Sequence, residues 1–204
     1  MKKVRVGDEQ VVPSKVLCVG RNYLDHIKEL NNAIPDEMVV FNKPNSSITS
    51  QLKAFHQEPL HYEAEICFLV RNGQYHSVGL GLDLTKRGLQ SKLKEKGLPW
   101  ERAKSFDGSA VFSRFIPLNN IDLSHLQIEL YINCVRVQCG TVPHMMYSPQ
   151  TILDQLSSYT SLCDNDIVMT GTPKGVGEVH RGDVFLGRLK CGDTTLIEIE
   201  WLAS

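Results

Sequence analysis

The sequence predicts an α+β domain built on rolled or sandwiched antiparallel sheet. Short apolar runs with strand-like alternation are many, helical stripes are few, and no regular strand–helix–strand alternation occurs. At 204 residues the chain is long enough for one substantial core, so residues 1–204 are read as a single domain. Hydrophobic residues at 42% and charged residues at 22% give a globular rather than a disordered balance. A formal net charge of -1 gives no broad pull toward nucleic acid or anionic lipid. No apolar run approaches the length of a membrane-spanning helix.

The elements follow in order. MKKVRVGDEQ is basic at its start, but no apolar stretch follows it, so it reads as mature chain and not as a signal peptide. KVLCVG at 15–20 reads as a strand ending at a glycine. In RNYLDHIKEL, Tyr23, Ile27 and Leu30 recur at helical spacing, with Asn22 as N-cap and Pro35 beyond the end. MVVFNKP at 38–44 is a strand stopped by Pro44. HYEAEICFLV at 61–70 is a strand, RNGQ at 71–74 a turn, and VGLGLDLT at 78–85 a second strand. A short helix covers 86–96, with Leu89 and Leu93 on one side and Gly97 and Pro99 as stop signals. From about residue 110 the pattern is mostly β, through AVFSRFIPL, LQIELYINCVRVQCG, DIVMTG, DVFLGRL and TTLIEIEWL. One helix interrupts it at 149–162, with Ser148 as N-cap, Pro149 at N1 and Ile152, Leu153 and Leu156 as its apolar side.

Cysteines 18, 67, 134, 139, 163 and 191 form no C-x-x-C pair, and several lie in apolar runs. A zinc site wants tighter pairing, so they read as free thiols in a reducing cytoplasm.

The strand at 61–70 is sharply two-faced. His61, Glu63, Glu65 and Cys67 share one face, while Tyr62, Ala64, Ile66, Phe68 and Val70 share the other. Two aligned glutamates fit a solvated outer face or a carboxylate cluster. The strand at 78–85 bears on the choice. Val78, Leu80, Leu82 and Leu84 make an apolar face, and Gly79, Gly81 and Asp83 make the other, where glycines leave room for a ligand or another backbone. If the two strands are neighbours, Glu63, Glu65 and Asp83 form a three-carboxylate cluster. A divalent cation would turn its repulsion into attraction. All-oxygen ligation favours Mg²⁺ or Mn²⁺, admits Ca²⁺ and disfavours zinc.

His26 and Glu29 lie three apart on a helix, where a carboxylate can orient an imidazole and raise its basicity; a surface ion pair is the alternative. Lys43 and Lys104 are candidate cations for an anionic substrate, with Lys104 in a loop, AKSFDGS, ahead of a strand. TGTPKGVG at 170–177 is either a tight turn or a donor-rich turn able to hold a carboxylate. It lacks the spacing of a phosphate loop.

These segments, in order, resemble the fumarylacetoacetate hydrolase family: VGRNYLDHIKEL, VVFNKP, HYEAEI, LDLTKRGLQ, GLPWERAKSFDGSAVFSRFIP, NCVRVQCGTVPHM and IVMTGTPKGVGEVHRGD. LPWERAKSFD, and the lack of a large N-terminal domain, point to the shorter members that handle acylpyruvates and oxaloacetate. The resemblance implies a mixed β-roll or sandwich with a few short helices, a homodimer, and one divalent cation on Glu63, Glu65 and Asp83. It implies a His26–Glu29 dyad in a segment that closes over substrate, Lys104 as the active-site lysine with Lys43 as a second, and substrate contacts at Gln90 and Thr172.

There are three departures. Gly88 stands where an aspartate is usual, and Cys134 where a turn glycine is usual. The connection from Glu65 to Asp83 is short, with no helix in it, and a missing mobile stretch is expected there over a truncated loop.

The expected activity is Mg²⁺-dependent hydrolysis of the C–C bond of an acylpyruvate-like oxo acid, with His26 activating water and Lys104 offsetting negative charge. Oxaloacetate tautomerisation or decarboxylation is the alternative within the same chemistry. A non-catalytic, metal-stabilised binding module is the alternative of another class.

Overall fold

The computed structural model describes residues 1–29 and 36–204. Its strands are β1 (Val4–Val6), β2 (Glu9–Val11), β3 (Lys15–Gly20), β4 (Val39–Pro44), β5 (Ile48–Thr49), β6 (His61–Tyr62), β7 (Ala64–Arg71) and β8 (Gln74–Asp83). They continue with β9 (Ala110–Phe112), β10 (Ile116–Pro117), β11 (Leu126–Ile132), β12 (Val135–Thr141), β13 (Ile167–Met169), β14 (Gly177–Glu178), β15 (Val184–Cys191) and β16 (Thr194–Leu202). The α-helices are α1 (Leu24–Glu29), α2 (Arg87–Glu95), α3 (Glu101–Lys104) and α4 (Pro149–Tyr159). Leu30 and Pro35, expected to continue and then follow the first helix, lie outside the described residues.

The largest sheet runs β4-β3-β13-β7-β8-β9-β5, with β10 also paired to β8. The β3–β13 and β5–β9 pairs are parallel and the rest are antiparallel, so the sheet is mixed. A second, antiparallel sheet runs β12-β11-β15-β16. This is the expected β-roll or sandwich with few helices.

Alternation along β7 explains how the layers stack. Its even-numbered side chains, Ile66 and Phe68, join Leu80 and Leu82 of β8 against Ile128, Leu130, Phe185 and Trp201 of the second sheet. The odd-numbered side chains Cys67 and Leu69 join Val16, Cys18, Ile167 and Met169 in another apolar cluster, roofed by Val4 and Val6 of the N-terminal hairpin and by Phe112 and Phe115. The face of the glutamates is therefore no solvated outer face. It continues directly into a core.

Helix α4 lays Ile152 and Leu156 against Leu17, Val19 and Val168. Its start follows the sequence reading: Pro149 is in the first turn, and the Ser148 hydroxyl accepts the Thr151 N–H at 3.2 Å. It ends at Tyr159, three residues earlier than expected, with the β-region Thr160 as its C-cap.

Two expectations are corrected. No stretch is missing between Glu65 and Asp83. Strands β7 and β8 form a direct antiparallel hairpin whose last pair is Arg71 with Gln74. Asn72 (φ 50°) and Gly73 (φ 69°) make its two-residue turn, where left-handed backbone matches strand twist. Nor do Gly79 and Gly81 make room for a ligand. A Cβ at Gly79 would lie 2.9 Å from the Phe115 ring, and one at Gly81 would lie 2.7 Å from Cys67 Sγ and 2.9 Å from the Phe112 ring. The space belongs to side chains of the core behind the glutamates.

At the β11–β12 turn, Cys134 takes φ 70°, a left-handed conformation that glycine adopts more easily. All six cysteines are free, with Cys18 and Cys67 buried. Among the described residues no helix is long and apolar enough to cross a membrane.

Because both neighbours of Gly81 are fixed in the core, Gly81→Ala is expected to destabilise the protein by about 1–3 kcal/mol, the usual cost of overpacking. Urea unfolding monitored by circular dichroism measures this; an unchanged midpoint would show that Phe112 and Cys67 can yield.

Candidate active site

Register brings the three carboxylates together. Glu65 lies opposite Gly81, and the Asp83 N–H donates to the Glu63 carbonyl at 2.8 Å. Glu63, in the one-residue break between β6 and β7, Glu65 on β7 and Asp83 at the end of β8 are 6%, 2% and 1% exposed. One carboxylate oxygen from each lies within 4.8 Å of the others.

Burying three such charges demands partners. Lys104 Nζ donates to Glu63 Oε2 at 2.8 Å, Asp83 Oδ2 at 2.7 Å and Thr85 Oγ1 at 2.6 Å. Lys104 sits at the end of helix α3 and not in a loop as expected; the helix follows Pro99 and Trp100, and Trp100 O accepts the Lys104 N–H. Lys43 is fully buried behind Asp83. Its Nζ lies 2.8 Å from Asp83 Oδ1 and donates to the Ser109 carbonyl and to the Lys104 carbonyl. It braces the aspartate and does not line the pocket, which displaces the expectation that it meets substrate.

Arg87 forms an ion pair with Glu63 Oε1 and donates to Gln90 Oε1 at 2.9 Å. The Gly171 N–H donates to Glu65 Oε2 at 2.7 Å. Gly171 has φ 96°, and a Cβ there would meet Asn22 Cβ at 2.7 Å, so the turn that supplies this N–H requires glycine.

The partners are unevenly shared. Burial alone would raise the Glu63 carboxyl, but Lys104, Arg87 and His26 outweigh it and hold it well below the usual carboxylate range. Burial, followed by the charges of Asp83 and Glu63, drives the Glu65 carboxyl well above that range, and the Gly171 N–H and Lys104 offset only part of this. Burial would lower the Lys104 ammonium, yet Asp83 and Glu63 raise it on balance. Among the described residues no lysine or arginine forms an ion pair with Glu65. An all-oxygen donor set with unrelieved repulsion at one carboxylate fits a hard divalent cation.

Above this floor, His26 on α1 is 5% exposed and faces the pocket. Its Nδ1 lies 3.1 Å from Glu29 Oε2, and Glu29 is itself held by the Gly175 N–H at 2.9 Å. A carboxylate on Nδ1 assigns the proton there and leaves Nε2 as the basic nitrogen. Gln90 is buried in the pocket wall. Thr172 is also in the wall, but its hydroxyl is engaged internally, 2.9 Å from the Ala64 carbonyl and 2.9 Å from Gln138 Nε2.

The rest of the wall contains Arg21, Phe41, Lys94 and Trp100, which the sequence reading did not single out. Arg87, Gln90 and Lys94 stand at i, i+3 and i+7 on α2, a polar stripe that could have been found from spacing alone. Asn22 also differs from its expected role. It is not the cap of α1: its amide donates to the Tyr147 and Thr170 carbonyls and accepts the Tyr147 N–H, tying three segments together. The departure at Gly88 has a local reason. Glu58 Oε1 accepts the Leu89 N–H at 3.2 Å, and a Cβ on residue 88 would come 3.3 Å from that oxygen. Glu58 supplies a carboxylate to the first turn of α2, where a second one would be crowded and repelled.

A mixed β-roll with a buried acidic pocket defines a class of protein, and the relatives of this chain specify it. Residues 15–204 match the family described as Fumarylacetoacetate (FAA) hydrolase C-terminal. The chain belongs to the fumarylacetoacetate hydrolase family of enzymes. Oxaloacetate tautomerase YcgM of Escherichia coli (strain K12) is 37% identical over 187 residues, 83% of this chain and 85% of that protein. A candidate fumarylacetoacetate isomerase/hydrolase from Oleispira antarctica superposes with a TM-score of 0.94 over 100% of both chains, at 32% identity. A fumarylpyruvate hydrolase from Pseudomonas aeruginosa, in complex with Mn²⁺ and pyruvate, superposes with a TM-score of 0.89 at 27% identity, over 99% of this chain and 95% of that one.

The raised Glu65 carboxyl has a consequence for stability. Between the ordinary glutamate range and its raised value, the folded protein holds a proton that the unfolded chain has released, so metal-free stability falls as pH rises through that window. Glu65→Gln is expected to remove that slope and to raise the metal-free Tm at neutral pH by about 2–4 °C. Mg²⁺ should raise the Tm of the wild type but not of the variant. Thermal unfolding in EDTA and in Mg²⁺ across pH 5–8 would show both effects.

Proposed function

We propose that this enzyme acts on small 2,4-dioxo or 3-oxo acids with the help of a divalent cation, and that keto–enol tautomerisation of oxaloacetate is its reaction. The observation that carries this reading is that a held histidine and a lysine-bridged carboxylate cluster line one pocket. His26, its Nδ1 taken by Glu29, lines the same pocket as the acidic floor, where Lys104 joins Glu63 to Asp83. A base opposite an electrophilic centre is what moving a proton next to a carbonyl requires. The relatives named as oxaloacetate tautomerases support the choice of substrate.

Glu63, Glu65 and Asp83 would hold the ion. Mg²⁺ is the first choice, with Mn²⁺ supported by the Pseudomonas aeruginosa structure and Ca²⁺ also suited to oxygen ligands. When bound, the ion supplies Lewis-acid polarisation of the 2-oxo group. His26 Nε2 takes the proton from the adjacent carbon. Glu29 fixes the ring through Nδ1 and stabilises the imidazolium that results. Lys104 offsets negative charge that develops on the substrate oxygen, while Arg87 and Gln90 orient the carboxylate beside it. His26 then gives that proton to the oxygen of the former 2-oxo group, which completes the change from keto to enol form; the reverse direction retraces the same transfers.

Hydrolysis of a C–C bond in an acylpyruvate is the second reading, favoured by the fumarylpyruvate hydrolase likeness and by the same dyad, which could activate a water instead. Decarboxylation of oxaloacetate needs no base and is less well served by a held histidine. A non-catalytic module draws no support from the departures at Gly88 and between Glu65 and Asp83: the short connection is an ordinary hairpin, and Gly88 fits a helix turn served by Glu58. A homodimer in the cytoplasm, with a small oxo acid as partner and neither nucleic acid nor membrane, completes the proposal. The near-neutral charge supports its last part.

The test is a substrate panel of enol and keto oxaloacetate, acetylpyruvate and fumarylpyruvate, followed by ultraviolet absorbance. Interconversion of oxaloacetate should require Mg²⁺, stop in EDTA and fall by about 10²–10⁴-fold in His26→Ala. Full activity in a Glu63→Ala, Glu65→Ala double variant would overturn the metal assignment, and full activity in His26→Ala the assignment of the base.

A further inference from the structure

The pocket has a second cationic end, away from the acidic floor. Lys94 Nζ lies 4.9 Å from the centroid of the Trp100 ring. Trp100 stands 6.1 Å from Phe41, tilted by 55°, and Lys104 Nζ lies 5.3 Å from the Phe41 ring. The two rings thus form a wall with an ammonium at each end. The ammonium at the floor is committed to Glu63, Asp83 and Thr85. The one at the other end makes no ion pair among the described residues and rests on the tryptophan face.

Positive charge outweighs negative around Lys94. Burial, then the positive charges of Arg21 and Arg87, push its ammonium down to about 8, and Glu63 offsets only part of this. An anion beside it would reverse that effect. Lysine also suits the task. Its charge is compact and carried on a flexible stem, so it can meet a carboxylate at more than one distance from the floor.

We propose that Lys94 takes the carboxylate at the far end of the substrate from the acidic floor, and so makes the enzyme selective for dianionic oxo acids over those ending in a neutral acyl group. This rests on the reading of the pocket as an oxo-acid site. The aromatic wall packs the carbon chain between the two ends. Lys94 is a specificity determinant and takes no part in proton transfer.

The test is calorimetry on the full chain in Mg²⁺ with two unreactive ligands. Oxamate carries one carboxylate, and N-oxalylglycine adds a carboxymethyl arm with a second. The wild type is expected to prefer N-oxalylglycine. Lys94→Met should lower the ratio of the two affinities by about tenfold, the scale of one charge-assisted hydrogen bond. Lys94→Arg should keep most of the ratio. In kinetics, Lys94→Met should raise KM for oxaloacetate far more than it lowers kcat. An unchanged ratio, or equal loss for both ligands, would overturn the proposal and leave Lys94 as packing for Trp100. Failure of the wild type to bind either ligand would instead sink the oxo-acid reading, and this assignment with it.

Discussion

Three carboxylates held out of water within 4.8 Å of one another are the constraint around which this fold is arranged. Such a cluster is costly unless the surrounding chain answers it. The answer comes from distant parts of the sequence. Lys43 arrives on β4, Arg87 from the start of α2, Lys104 from the end of α3, and a backbone N–H from the turn at Gly171. Three side-chain cations match three carboxylates in number but not in placement, because Glu65 receives only the N–H and a distant share of Lys104. The imbalance leaves one buried oxygen set under repulsion. That is a condition in which a divalent ion contributes more than neutralisation of the group as a whole would suggest.

Much of the site could be read from the chain because it rests on local periodicity. Alternation aligned Glu63 with Glu65, and a second alternating strand supplied Asp83; the hairpin β7–β8 then sets them side by side. The His26–Glu29 pair needed only helical spacing, and the Ser148–Pro149 start of α4 needed only capping chemistry. What was not legible depends on packing between remote segments. Alternation could not distinguish a solvated face from one lined by a second core, because the roof over Cys67 and Leu69 comes from residues 4–6 and 112–115. The same blindness turned Gly79 and Gly81 into a ligand space, when Phe115 and Phe112 fill it. Lys43 looks equivalent to Lys104 in sequence, yet one lies behind Asp83 and the other before it. Asn22 has the composition of a helix cap but is used as a three-way tie between loops.

The site divides into a floor fixed by strands and a wall carried by a helix, and the two are joined at one residue. Arg87 opens α2 and is paired to Glu63, so the helix is registered on the floor by its first turn. From there the helical repeat places Gln90 one turn on and Lys94 two turns on, at increasing distance from the carboxylates. Substitutions toward the far end of α2 can therefore alter which ligand fits while leaving the floor intact, whereas a change at Arg87 disturbs both. Glu58 stabilises that same first turn from outside the pocket, where Gly88 leaves room for it. The carboxylate floor and the far part of the wall are thereby carried by different elements. A strand pair buried from Ala64 to Val70 and from Ser77 to Asp83 holds the carboxylates still, and a nine-residue helix paired to the floor at Arg87 carries Gln90 and Lys94.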